Sequence, residues 1–190
     1  MVQGLYQYLR NAWRAPTREM LQQRLIKWRA ENSVVKVDKP LRLDKARSLG
    51  YKAKNGFVVV RVRVKRGGRQ RPRHVHGRKS RKQYVRKILK MNYRWVAELR
   101  AATHYPGLEV LNSYNLAKDG KYYFFEVIMV DTNKPEIKND PTINWIVSKK
   151  NTKRAQRGLT SAAKKSRGLR TKSTTLKVRP SLRAWNRQGK

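Results

Sequence analysis

Cysteine is absent, which excludes disulfides and thiolate metal sites. No apolar run approaches the length of a membrane span; the longest, YYFFEVIMV at residues 122–130, is strand-sized and holds Glu126. The opening MVQGLYQYLRNAWRA lacks the apolar core of a signal peptide, so the expectation is a soluble, cytoplasmic protein. Carboxylates are scarce: 11 Asp+Glu stand against 48 Lys+Arg, a formal charge of +37 in 190 residues. A particle so charged repels itself, and its expected companion is a polyanion: nucleic acid, anionic membrane or acidic protein. With so few acids, no paired-carboxylate or Ser/His/Asp constellation stands out. We expect no enzyme activity, no cofactor and no small-molecule substrate.

What is present argues for a folded body. Five Trp, nine Tyr and 38% hydrophobic residues exceed what a disordered basic tail needs. The acids are also unevenly placed. Four lie in residues 1–44 and seven in 98–140, whereas 45–97 hold nineteen Lys+Arg and no acid, and 141–190 hold fifteen and no acid. The 98–140 window, with five basic residues, has the composition of a water-facing folded piece. The two acid-free windows suit contact with phosphates, which would repel a carboxylate.

Periodicity outlines the elements. Leu5, Tyr8, Leu9 and Ala12 recur at helical spacing in residues 2–13, and Thr17 can cap a second helix to about Asn32 along Leu21, Leu25 and Trp28. Residues 33–37 (SVVKV) suit a short strand, and Asp44 opens a helical turn that Gly50 stops. FVVVRVRV at 57–64 is the clearest strand, with Val60, Val62 and Val64 on one face and Arg61 and Arg63 presented on the other. Residues 65–82 have almost no apolar content and read as an extended basic arm. A long helix is expected from a Ser80 cap to about His104, ended by Tyr105-Pro106-Gly107. Strands at 108–114 and 122–130 follow, turned through Asp119-Gly120, and 143–147 suits a short strand or turn. From Ser148 apolar periodicity fades into a basic tail, expected to order only on its partner. The organisation is therefore N-terminal basic helices (1–32), an α+β domain (33–147) carrying the arm 65–82, and a basic C-terminal extension (148–190).

Four blocks then carry a resemblance: LGYKAKNGFVVVRVRVKRGGRQRP at 49–72, VLNSY at 110–114, YYFFEVIMVD at 122–131 and RGLTSAAKKSRGL at 157–169. In content, order and spacing they resemble large-subunit ribosomal protein fifteen of the archaeal and eukaryotic type. Around Arg73–Arg81 the chain looks closer to the archaeal pattern than to the longer eukaryotic one. The resemblance implies an α+β fold in which a small, mainly antiparallel sheet packs with helices and extensions thread through large-subunit ribosomal RNA. The strand at 33–37 would make that sheet four-stranded. Neighbouring large-subunit ribosomal proteins are implied as partners, in the cytoplasm, with no membrane and no homo-oligomer.

Three groups are the candidate RNA contacts. The strand and arm supply Arg61, Arg63, Lys65, Arg66, Gly67, Gly68, Arg69, Arg71, Arg73, Arg78, Lys79, Arg81 and Lys82. The preceding loop supplies Lys45, Arg47, Tyr51, Lys52 and Lys54; the tail supplies Arg154, Arg157, Lys164, Lys165, Arg167 and Arg170. Arg can fork two phosphate oxygens or stack on a base, Lys acts as a mobile point charge, and Gly67, Gly68 and Gly158 let backbone approach a phosphate. Trp13, Tyr51 and Trp185 could stack on unpaired bases, with packing an equal alternative for Trp13. His74 and His76, without Cys and among basic neighbours, make a poor metal site; RNA contact or plain loop roles fit better. A free nucleic-acid chaperone or chromatin-like binder is the alternative function, and a membrane-active protein would need a broader apolar helix than residues 17–32 offer.

Overall fold

The computed structural model describes residues 3–68, 76, 77, 89 and 91–170. Within them four strands make one antiparallel sheet: β1 (Val34–Val37), β2 (Phe57–Lys65), β3 (Leu108–Lys118) and β4 (Tyr122–Asp131), in the order β1-β2-β4-β3. The period of two in β2 places Val60, Val62 and Val64 beside Phe125, Val127 and Met129 on one face. Helix α4 (Tyr93–His104) covers that face with Ala97, Ala101 and Ala102, whose small side chains let it lie close to the valines. The fold is α+β, as expected.

The second face is equally covered. Phe124, Ile128 and Val130 of β4, with Tyr114 and Leu116 of β3, meet Trp28 of α2 (Arg18–Ala30) and Ala46 of α3 (Leu43–Ser48). Ile137 of α5 (Pro135–Lys138) and Ile146 of the 3-10 turn Asn144–Val147 complete this layer. With both faces buried, β4 reads as an apolar run rather than an alternation. Thr17 caps α2 by accepting from the Met20 N–H, and Asp119 closes the β3–β4 turn by accepting from the Lys121 N–H at 2.7 Å. Helix α1 (Leu5–Arg14) buries none of its residues; Trp13 packs on the core's edge and Tyr6 meets Arg47.

Three expectations are corrected. The helix ending at His104 starts at Tyr93 rather than near Ser80, because the Asn92 side chain accepts from the Trp95 N–H at 2.7 Å and caps it there. Ser80 itself and residues 81–88 lie outside the described residues. Strand β3 runs on to Lys118, past the expected end at 114, with two register shifts that let it curve along β4. Finally, part of the expected tail packs onto the domain. Trp95 Nε1 donates to the Ala155 carbonyl at 2.8 Å, and Ala155, Thr160, Ala162 and Ala163 are buried around α4 and α6 (Ser161–Ser166).

Two glutamates sit inside the protein, one toward each face of the sheet. Glu98 of α4 accepts from the Ser113 and Thr160 hydroxyls, and Glu126 of β4 accepts from the Tyr114 hydroxyl and from the Leu41 N–H at 3.2 Å. Hydroxyl partners let these buried carboxyls stay satisfied. Burial nonetheless pushes both acids above the usual carboxylate range, opposed by those hydrogen bonds and by nearby arginines.

Candidate nucleic-acid interface

The candidate contacts divide into side chains that hold the protein together and side chains that point outward. Arg61 belongs to the first class. It lies in a row across the sheet with Val35 and Glu126, pairs with Glu31 at the end of α2, and sits 5.3 Å over the Trp28 ring. Its side chain is only 11% exposed. Arg63 likewise donates to the Arg29 carbonyl and stacks 4.8 Å over Tyr122. The face of β2 expected to meet RNA is therefore covered by the end of α2, which these two guanidinium groups fasten to the sheet. The alternation of Val and Arg reveals a strand with two unlike faces, but not the helix that covers the second.

Beyond Arg63 the strand emerges. Lys65, Arg66, Gly67 and Gly68 are exposed. Arg66 is anchored by its Nη1 donating to the Asp119 carbonyl at 2.7 Å, with the guanidinium 5.1 Å over Tyr123. Gly67, at φ +109° with open space where a Cβ would stand, donates its N–H to the Tyr93 hydroxyl at 2.9 Å. Tyr93 stacks on Tyr123 at 4.8 Å. A rigid aromatic base thus launches the arm. Arg69, Arg71, Arg73, Arg78, Lys79, Arg81 and Lys82 lie outside the described residues, as does His74; His76 is exposed.

Lys45 and Arg47 lie on α3 rather than in the expected loop before β2; both are exposed, and Arg47 lies over the Tyr6 ring. Tyr51 is half-buried, edge-on to Phe57 at 5.9 Å. Lys52 and Lys54 reach Asp140 at 3.0 and 2.6 Å. Hydrogen bonds from Lys54, Thr142 and Lys52 hold the Asp140 carboxyl well below its usual range. The two lysines staple the loop to the segment after α5.

The C-terminal group divides in the same way. Arg154 donates to the Val110 carbonyl at 3.1 Å and lies 4.7 Å over Trp145; burial pushes its guanidinium below the usual value. Arg167 donates to the Gly158 carbonyl at 2.9 Å. Gly158 is buried rather than open to a phosphate: a Cβ there would stand 2.9 Å from Arg167 Cδ. Lys164, Lys165, Arg157 and Arg170 are exposed. Trp185 lies outside the described residues.

The structure also assembles a basic cleft that spacing alone does not show. Arg10 and Arg14 of α1 join Arg42, Lys45 and Ser48 around a cleft of about 350 Å³, with Asp44 the one acid in its wall. Arg10 and Arg14 are one helical turn apart, a signal legible in the sequence. Arg42 and Lys45 are brought to them only by the tertiary fold. Trp13 packs rather than presenting itself for stacking, with Arg24 and Arg42 at 5.1 and 5.5 Å from its ring.

A family profile described as Ribosomal L15, of the L15e type, matches residues 4–185. A curated relative, the large ribosomal subunit protein eL15 of Methanocella arvoryzae, is 45% identical over 196 aligned residues covering all of both chains. A profile match over nearly the whole chain and full-length identity at this level leave one conclusion: the chain belongs to the L15e-type ribosomal L15 family.

Proposed function

We propose that this protein is a structural constituent of the large ribosomal subunit, in the cytoplasm, that binds and stabilises large-subunit ribosomal RNA beside neighbouring subunit proteins. The observation that carries this reading is the separation of charge. Acids are confined to residues 1–44 and 98–140, where several of them are consumed inside the fold by Arg61, Lys52, Lys54 and the buried hydroxyls. Exposed cations on the launch of the arm and on α6 have no such partners in sequence around them, an arrangement suited to phosphate. The RNA-facing set is Lys45, Arg47, Lys65, Arg66, Arg157, Lys164, Lys165 and Arg170, continued by the basic residues of the arm. A-form RNA hides base edges in a deep major groove, so such a surface reads backbone shape and junctions rather than sequence.

Fractionation tests the proposal. The protein is expected to sediment with large subunits and to stay there through a moderate salt wash. Recovery mainly with DNA, or free of ribosomal particles, would replace this reading with that of a free nucleic-acid chaperone.

A further inference from the structure

We propose that the cleft between α1 and α3 is a composite binding site for one RNA phosphodiester, clamped by Arg10 and Arg14 of α1 and by Lys45 of α3 with Arg42 at its N-cap. The inference rests on the RNA-binding reading and assigns it a specific site. Its first support is electrostatic. Helix α1 buries none of its residues, yet it lies with Arg10 and Arg14 facing Arg42 and Lys45 across the cleft, with Asp44 as the one carboxylate lining it. Four cations against one acid is a repulsive arrangement for two docked helices. A bound phosphate reverses the sign of that interaction and turns the cleft into a joint.

The second support is the state of Arg42. Its side chain is 19% exposed, and its contacts are long: 3.8 Å to Asp44 and 3.5 Å to the Asn115 carbonyl. Its Nε is buried and has no hydrogen-bond partner among the described residues. The Trp13 ring beside it fixes the guanidinium in place while leaving donors unused. Lys45 of α3 adds a mobile charge to the cleft, while the Ser48 hydroxyl in its wall already donates to the Lys45 carbonyl at 2.8 Å. Cations of both geometries converge on one space from two elements, an arrangement that suits a single phosphate.

The test is the salt dependence of RNA binding by the full-length protein, using RNA extracted from large subunits. Wild type, Arg14→Gln, Lys45→Gln, the double variant and a Lys138→Gln control on α5 are compared after circular dichroism has matched their folds. Each neutralised phosphate contributes about 0.7–0.9 to the slope of log affinity against log salt. If Arg14 and Lys45 address the same phosphate, the double variant loses about one such contribution and no more. The control keeps the wild-type slope. A double variant with an unchanged slope, while wild type binds RNA steeply, would discard the cleft and leave the RNA reading intact. A loss near two contributions would also discard it, because the two cations would then act on separate phosphates. Wild type that fails to bind RNA would overturn both proposals. Should Arg14→Gln disturb the fold, Arg10→Gln paired with Lys45→Gln decides in its place.

Discussion

Glu98 shows how a single side chain governs stability here. It is completely buried, and burial raises its pKa in the folded state against the pull of Ser113, Thr160 and two arginines. An unfolded glutamate titrates near about 4.3. Because the folded value is higher, the folded state holds its proton where the unfolded chain has released it. The stability from this linkage is full below about pH 4.3 and is lost as pH rises through the folded value. Glu126 acts with the same sign. Asp140 has the opposite sign: its depressed value contributes stability above about pH 3.9 that is lost on acidification. Above about pH 4.3 the two glutamates therefore make stability fall as pH rises. Glu98→Gln is expected to flatten the decline in unfolding free energy across this range, measured by denaturant titration at a series of pH values. An unaltered slope would show that Glu98 is ionised in the fold throughout.

At the scale of elements, legibility followed side-chain type. The Val-Arg alternation of β2 and the Asp119-Gly120 turn are local signals, and both elements lie where periodicity places them. The start of α4 was not legible, because apolar residues recur through 84–99 at helical spacing and only Asn92 interrupts them. The packing of residues 149–168 was hidden for another reason. Its buried members are Ala155, Gly158, Thr160, Ala162 and Ala163, which carry little hydropathy signal and are held by hydrogen bonds to α4. Outward-pointing Lys164 and Lys165 were legible as a basic cluster, whereas Arg154 was not legible as an internal brace, since sequence spacing carries no record of Val110 beside it. Asn92 is the joint between these parts. It caps α4, donates from Nδ2 to the Ala162 carbonyl at 2.9 Å, and donates its backbone N–H to Ser166 Oγ, also at 2.9 Å. Asn92→Ala removes the cap and the Ala162 bond together, a cost of about 2 kcal/mol. For a chain of this size that lowers Tm by about 4–8 °C. Hydrogen exchange should accelerate in residues 155–166 more than in β2. A loss confined to α4 would mean that α6 docks without Asn92.

The whole molecule is held against its own charge. Eleven acids cannot neutralise 48 cations, and several of those acids are already paired within the fold, as with Glu31 to Arg61 and Asp140 to Lys54. The apolar layers on the two faces of the sheet supply the cohesion, while the exposed lysines and arginines oppose compaction. These contributions respond differently to salt. Burial of apolar surface is little affected by sodium chloride, whereas repulsion between exposed charges fades as the Debye length falls from about 10 Å at 0.1 M to about 3 Å at 1 M. The free protein should therefore gain thermal stability over this range, read as a rising Tm by circular dichroism. Stabilising ion pairs would predict the reverse, because screening weakens attraction as well as repulsion. A falling Tm would place the Arg61–Glu31 and Lys54–Asp140 pairs above self-repulsion in the balance. A rising Tm would mean that repulsion among its surface cations strains the folded body, a strain that any polyanion covering that surface would relieve.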